Sequence, residues 1–132
     1  MKVKIIGAGL AGCEAALQLA KRGIEVDLYE MRPVKMTGAH TTEKLAEFVC
    51  SNSMGSYDLS VASGLLKKEM ELLGSELIKI AFDVKVPAGN ALAIDREEFS
   101  KRVTELIESN PLINLVREEV NEIPEGDVII AS

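Results

Sequence analysis

The residues with the clearest chemical meaning are three glycines near the start of the chain, in the segment GAGLAG at residues 7–12. With this spacing the first glycine allows a sharp turn, the second lets the backbone approach a pyrophosphate, and the third lets a helix pack closely on a sheet. A helix that begins here presents free N–H groups and the positive end of its dipole to phosphates. The pattern predicts a dinucleotide-phosphate site formed by Gly7, Ala8, Gly9, Leu10, Ala11 and Gly12.

Glu30 is the acidic residue expected to accompany this turn, at the end of the following strand. A carboxylate at that point accepts hydrogen bonds from the hydroxyls of an adenosine ribose and disfavours the 2′-phosphate of NADP. Arg32 reopens the NADP option, because an arginine there can pair with the 2′-phosphate, whereas Pro33 favours a fixed exit turn. Glu30 and Arg32 are therefore both candidate cofactor-binding residues.

FAD and NAD share the glycine turn and the acid, so these residues leave both dinucleotides open. The segment after the second strand discriminates between them, since NAD domains usually continue there directly into a helix and another strand. Here residues 33–60 carry few regular signals and form a long insertion, with two helical turns expected from Glu43 to Val49. The insertion favours FAD.

Cys50 lies within the irregular segment Cys50-Ser51-Asn52-Ser53, and two interpretations are open. The polar flanks suit a functional thiol. The alternative is a buried structural thiol, since free cysteine often behaves as a small hydrophobic residue. Cys13 is expected to pack within the first helix. His40, the only histidine, is expected at the surface, and no second ligand supports a metal site.

The elements that must position these residues form a βαβ pattern. A strand at Val3–Ile6 leads into the glycine turn, a helix follows from Leu10 to Arg22, and a second strand occupies Glu25–Tyr29. With a third strand at Leu112–Val116, the sequence predicts an α/β, Rossmann-like domain in which a parallel sheet is flanked by helices.

The sequence after residue 60 predicts further helices and strands in a less regular order. The spacing predicts one helix over Val61–Ala81 with a weak point at Gly74, strand or irregular structure over Phe82–Leu92, and a helix capped by Asp95 that ends at Asn110–Pro111. Two further strands are expected, at Glu119–Ile123 and Val128–Ala131.

Composition limits the class of protein. Of the 132 residues 47% are hydrophobic, which is enough to form a core, and the net charge of −6 argues against nucleic-acid binding by this stretch alone. No apolar run has the length of a membrane helix, and two cysteines are too few for a disulfide framework, so a cytoplasmic protein is expected. Because the sequence stops at a core-type strand, we expect the N-terminal part of a longer FAD-binding domain.

Three segments resemble a known family. These are VKIIGAGLAGCEAALQLAKRGIEVDLYEMRP, FVCSNS and ALAIDREEFS, and they are similar to the folate- and FAD-dependent tRNA (uracil-5-)-methyltransferases. Those enzymes are relatives of the flavoproteins called glucose-inhibited division protein A. The first segment is widespread among flavoproteins, whereas FVCSNS and the long insertion are much narrower. The resemblance extends over essentially the whole sequence.

The resemblance implies a specific reaction. The family methylates C5 of the T-loop uridine of tRNA, with methylenetetrahydrofolate as carbon donor, a reduced flavin as carrier and NAD(P)H as reductant. It implies tightly bound FAD, with the pyrophosphate at Gly7–Gly12, the adenosine ribose at Glu30 and the adenine near Val120. It also implies a catalytic role for Cys50, whose thiolate would attack C6 of uracil as a soft nucleophile or take the proton from C5. The tRNA contacts are expected mainly on parts of the family's chain that are absent here.

Two other functions are compatible with the same turn and acid. A generic FAD-dependent oxidoreductase would share GAGLAG and Glu30 without needing Cys50. A non-enzymatic module that binds an adenine dinucleotide would need neither a flavin nor the cysteine. The fold does not choose among these functions, because it supports many chemistries.

Overall fold

A computed structural model describes the whole chain, residues 1–132, as two sheets and four helices. The strands and helices in chain order are β1 (Lys2–Ile6), α1 (Leu10–Lys21), β2 (Glu25–Tyr29), β3 (Ser53–Ser56), α2 (Ala62–Leu72), α3 (Glu76–Asp83), β4 (Lys85–Val86), β5 (Ala91–Ile94), α4 (Arg96–Glu108), β6 (Ile113–Val116) and β7 (Asp127–Ile130). None of the helices combines the length and apolar character needed to cross a membrane.

The main sheet is parallel and has the strand order β6-β2-β1-β7. Ile5 of β1 lies opposite Leu28 of β2 on one side and Ile129 of β7 on the other. Ile5 and Leu28 are fully buried because α1 covers the sheet with a face of small residues, among them Cys13 and Ala16. This arrangement confirms the predicted Rossmann-like parallel sheet, including the strands predicted at residues 3–6, 25–29 and 112–116.

The insertion contributes to a second, antiparallel sheet with the order β3-β5-β4. The two helical turns predicted from Glu43 to Val49 are wrong, since this segment is irregular. Its backbone bonds to other parts of the chain instead of to itself. The N–H of Leu45 donates to the hydroxyl of Thr104 at 2.9 Å, and the N–H of Ala46 donates to the carbonyl of Ala8 at 2.9 Å.

The single helix predicted over Val61–Ala81 is also wrong, because Gly74 divides it into α2 and α3. Gly74 has a φ of +84°, which ends α2 in the left-handed region that glycine adopts without strain. Ser75 then begins a new helix by accepting a hydrogen bond from the N–H of Ile78. The predicted cap of α4 is confirmed, as Asp95 accepts from the N–H of Glu98 at 3.1 Å.

The strand predicted at Glu119–Ile123 is absent. Strands β6 and β7 lie at opposite edges of the main sheet, so residues 117–126 have to cross the sheet to connect them. A strand needs a neighbouring strand for its backbone N–H and C=O groups, and residues 117–126 pair with none. The strand predicted at Val128–Ala131 is confirmed as β7, shifted by one residue.

Candidate functional site

A cavity of about 380 Å³ opens at the carboxyl ends of β1 and β2. In this sheet β2 and β7 flank β1 on opposite sides, which makes the end of β1 the place where open α/β sheets bind ligands. The structure places most of the predicted cofactor-binding residues around this one cavity, namely Gly7, Ala8, Gly9, Glu30, Arg32 and Val120.

Glycine is favoured at the three positions of the turn for different structural reasons. Gly7 has a φ of +100°, and a Cβ there would lie 2.7 Å from the carbonyl oxygen of Ala131. A Cβ on Gly12 would overlap the carbonyl oxygen of Gly7, so close packing of helix and turn requires glycine. A Cβ on Gly9 would meet no protein atom within 4 Å. Protein packing therefore explains Gly7 and Gly12, whereas bare backbone at Gly9 suits a group bound in the cavity.

The N-terminus of α1 has the properties of an anion site. Gly9 is its N-cap, no side chain caps the helix, and its first turn contains no acidic residue. The first N–H groups therefore keep both their hydrogen-bonding capacity and the positive end of the helix dipole for a ligand. Leu10, Ala11 and Gly12 form this first turn and offer backbone groups only. The side chains of Leu10 and Ala11 line a different, apolar cavity beside Met54 and Leu77.

Glu30 lies directly after β2 and is 7% exposed. Its Oε1 atom accepts hydrogen bonds from the backbone N–H and from Nε of Arg32, both at 3.0 Å. Burial by itself raises the pKa of Glu30, but the hydrogen bonds and charge of Arg32 outweigh it, so the pKa lies below its ordinary value. Glu30 is therefore a carboxylate at neutral pH, the form that accepts hydrogen bonds from ribose hydroxyls.

Arg32 is 1% exposed, and protein groups engage its guanidinium. Besides Glu30, it donates to Oε2 of Glu47 at 2.9 Å and to the carbonyl oxygens of Thr42 and Lys44 at 2.8 and 3.2 Å. The charge of Arg32 is thus neutralised by two carboxylates. This leaves it poorly placed to pair with a 2′-phosphate, which weighs against NADP at this site.

The remaining wall of the cavity comes from the insertion and from the segment before β7. Glu119 forms an ion pair with Lys35 at 2.6 Å, which joins these two parts of the chain across the rim. His40, predicted to lie at the surface, is half-buried in the wall of the cavity, with Nδ1 2.5 Å from the hydroxyl of Thr37. No sequence signal indicated that these residues would meet.

Cys50 is exposed, so it is not the buried structural thiol considered as the alternative. It lines a separate, open cavity of about 570 Å³ together with Asp95, Arg96 and Glu97 at the start of α4. The two cavities have no lining residue in common. Within this chain, then, the structure does not bring Cys50 into the cavity of the glycine turn.

Cys13 behaves as the sequence predicts. It is fully buried, and its Sγ lies 3.3 Å from the carbonyl oxygen of Ala8. Burial, reinforced by the negative charge of Glu30, raises the pKa of Cys13 to about 12. Its thiol therefore stays protonated, and the residue serves packing.

Lys67 and Lys68 are the adjacent basic pair on α2, and only one of them is available to a polyanion. Lys67 is 8% exposed, and its ammonium donates to the carbonyl oxygens of Ser56 and Ser63 at 3.0 and 3.2 Å. Lys68 lies at the surface beside Glu71. Loss of Lys67 would therefore disturb the packing of α2 on β3.

The family model described as glucose inhibited division protein A matches residues 2–131. A relative from Sulfurihydrogenibium sp. (strain YO3AOP1), methylenetetrahydrofolate--tRNA-(uracil-5-)-methyltransferase TrmFO, is 58% identical over 98% of this chain and 30% of its own length. A relative of the same name from Anoxybacillus flavithermus is 58% identical over 100% of this chain and 31% of its own. The chain thus spans about a third of the length of these curated relatives.

Similarity to solved structures is found at low sequence identity. A crystal structure of a mutant of MHPCO is 11% identical and has the same fold, with a TM-score of 0.50 over 89% of this chain and 31% of that one. The GidA-related protein from Thermus thermophilus is 20% identical, with a TM-score of 0.41 over 87% of this chain and 37% of that one.

Proposed function

The chain belongs to the glucose-inhibited division protein A family, and we propose that it forms the FAD-binding region of a folate-dependent tRNA (uracil-5-)-methyltransferase. The observation that carries the cofactor assignment is the cavity in which the bare backbone of Gly9, the uncapped start of α1 and the carboxylate of Glu30 meet. The support for the reaction is the 58% identity to relatives that bear the methyltransferase name.

The residues of this cavity fit the adenosine diphosphate half of FAD. The turn at residues 7–12 and the N–H groups of α1 would hold the pyrophosphate, Glu30 would accept from the ribose hydroxyls, and Val120 would border the adenine. Arg32 would not contact the cofactor itself but would hold the carboxylate of Glu30 in place. Bound FAD would supply the reducing equivalents that convert the methylene carbon of the folate into a methyl group, with NAD(P)H as the reductant.

Cys50 is the residue proposed to act on the uridine. A thiolate at this position can add to C6 of uracil, or it can remove the proton from C5 after the carbon has been transferred. Both roles require an accessible thiol, and Cys50 is exposed and lines an open cavity of about 570 Å³. The proposed substrate is the T-loop uridine of tRNA, with methylenetetrahydrofolate as carbon donor.

The experiment that tests this function is a tRNA methylation assay of the full-length enzyme that contains this region, with methylenetetrahydrofolate, NADH and NADPH. We expect Cys50→Ala to lower methylation by at least about a hundredfold, the usual cost of removing a catalytic nucleophile or base, while FAD content stays unchanged. Val49→Ala, at an exposed neighbouring position, is the matched control and should keep its activity. Full methylation by Cys50→Ala would remove this residue from the mechanism. Flavin reduction without any methylation by the wild type would favour a generic flavin oxidoreductase.

A further inference from the structure

Residues 41–47, here called the support segment, form hydrogen bonds with two parts of the proposed FAD site, the glycine turn and the arginine that holds Glu30. The N–H of Ala46 donates to the carbonyl of Ala8 within the glycine turn, at 2.9 Å. One residue later, Oε2 of Glu47 accepts from Nη1 of Arg32 at 2.9 Å, and Arg32 in turn holds Glu30. The support segment therefore links the phosphate-binding turn to the ribose-binding acid.

Arg32 and Glu30 are joined through only one carboxylate oxygen. Both hydrogen bonds from Arg32 end on Oε1 of Glu30, and Oε2 receives none from Arg32. An isolated arginine and carboxylate favour a bidentate pair with two parallel hydrogen bonds. Here the two terminal nitrogens of Arg32 point to other acceptors. Nη1 donates to Glu47 and to the carbonyl of Thr42, and Nη2 donates to the carbonyl of Lys44.

Glu47 is the charged member of that group of acceptors. The others are the neutral carbonyl oxygens of Thr42 and Lys44, at 2.8 and 3.2 Å. Glu47 is itself fixed from the opposite side, since its Oε1 accepts from the N–H of Thr42 at 3.0 Å and from the hydroxyl of Thr41 at 3.2 Å. Its side chain is 10% exposed, which limits competition from water.

We propose that Glu47 is a positioning residue for recognition of the adenosine ribose. By accepting from Nη1, Glu47 anchors the guanidinium of Arg32 in the orientation in which only Nε reaches Glu30. Oε2 of Glu30 then has no hydrogen bond from Arg32 and can accept from the ribose hydroxyls. Without the charge of Glu47, Arg32 turns toward Glu30 and forms the bidentate pair, which occupies both oxygens. This inference rests on the proposed function, since the ribose is that of the FAD assigned to this cavity.

The test compares two ligands whose only difference is at the ribose. ADP and 2′,3′-dideoxy-ADP are titrated calorimetrically into the wild type and into Glu47→Gln, and FAD is titrated into the wild type alone. We expect the wild type to prefer ADP by about tenfold, the usual discrimination from hydrogen bonds to a charged acceptor. Glu47→Gln should reduce that preference to about twofold.

The ratio of the two affinities separates positioning from a general loss of structure, because partial unfolding weakens both ligands equally. Glu43→Gln is the matched control, since the Glu43 side chain is exposed and makes no hydrogen bond, and it should keep the wild-type ratio. Glu47→Asp retains the charge on a shorter side chain and should give an intermediate ratio. This variant carries the test if Glu47→Gln does not fold.

The outcomes distinguish this inference from the function on which it rests. If the wild type binds FAD and prefers ADP while Glu47→Gln, or Glu47→Asp in its place, keeps the full preference, the role of Glu47 is overturned and the FAD site stands. If the wild type binds neither FAD nor ADP, the proposed site and the role of Glu47 both fall.

Discussion

The hydroxyl of Ser75 donates to Oε2 of Glu14 at 2.7 Å and thereby ties the start of α3 to the middle of α1. Glu14 also accepts from the backbone N–H groups of Glu76 and Leu77, at 3.1 and 3.0 Å. A carboxylate from one helix thus satisfies the free donors at the N-terminus of another, where the helix dipole favours negative charge. This contact fixes α3 against the helix that carries the glycine turn.

We expect Glu14→Gln to lower the free energy of unfolding by about 1–2 kcal/mol, the usual cost of losing a charged cap. The amide can accept one of the hydrogen bonds but provides no negative charge for the dipole. Urea denaturation measures the change. Glu105→Gln replaces an exposed glutamate on α4 and should leave stability within about 0.5 kcal/mol of the wild type. An equal loss in both variants would exclude the capping role.

Acid should destabilise the chain through three glutamates. Burial raises the pKa values of Glu14, Glu30 and Glu47, but the hydrogen bonds they accept outweigh it and leave each pKa below its ordinary value. Groups with a lowered folded-state pKa stabilise the protein above the unfolded-state pKa, and they lose this effect as the pH falls through the folded value. We therefore expect constant stability near neutral pH and a decline below the ordinary glutamate pKa. The decline should be shallower in Glu14→Gln. An identical decline in that variant would show that protonation of Glu14 does not contribute to the loss of stability in acid.

Gly12→Ala should destabilise the fold by about 1–3 kcal/mol, the range for overpacking. The new Cβ would overlap the carbonyl oxygen of Gly7, and this clash outweighs the better helix propensity of alanine. Thermal unfolding, monitored by circular dichroism, measures this loss of stability. An unchanged melting temperature would show that the turn can relax without cost.

Gly9→Ala should have the opposite profile to Gly12→Ala. Gly9 has a φ of −78°, which any residue adopts, and a Cβ there would meet no protein atom. Stability should therefore change by less than about 0.5 kcal/mol, whereas FAD affinity should fall about tenfold or more because the methyl group occupies ligand space. Equal FAD affinity in this variant and the wild type would place the pyrophosphate elsewhere.

Much of the site could be predicted from local sequence. The turn at residues 7–12 and Glu30 follow from short-range spacing, because a strand, a glycine turn and a helix determine each other's positions over few residues. The packing role of Cys13 follows from the same helix.

Long-range contacts could not be predicted in this way. Glu47 meets Arg32 only because the insertion folds back onto the end of β2, and no spacing within residues 33–60 encodes that return. The helix predicted at Glu43–Val49 is absent for a related reason, because the backbone N–H groups of Leu45 and Ala46 donate to distant partners instead of to their own segment. The strand predicted at Glu119–Ile123 is absent because the connection between the two edges of the sheet offers it no partner strand, and local sequence does not encode that partner.

The measurement that most directly tests the FAD site compares the affinities of the purified protein for FAD and FMN. Flavin absorbance and fluorescence report the binding. FMN has the same flavin ring but lacks the adenosine and its phosphate, the half of FAD assigned to Gly9 and Glu30. We expect FAD to bind and FMN to bind on the order of a hundredfold more weakly, since FMN lacks one of the two phosphates assigned to the helix N-terminus and the ribose assigned to the carboxylate of Glu30. Equal binding of the two flavins, or binding of neither, would contradict the assignment of this cavity to FAD.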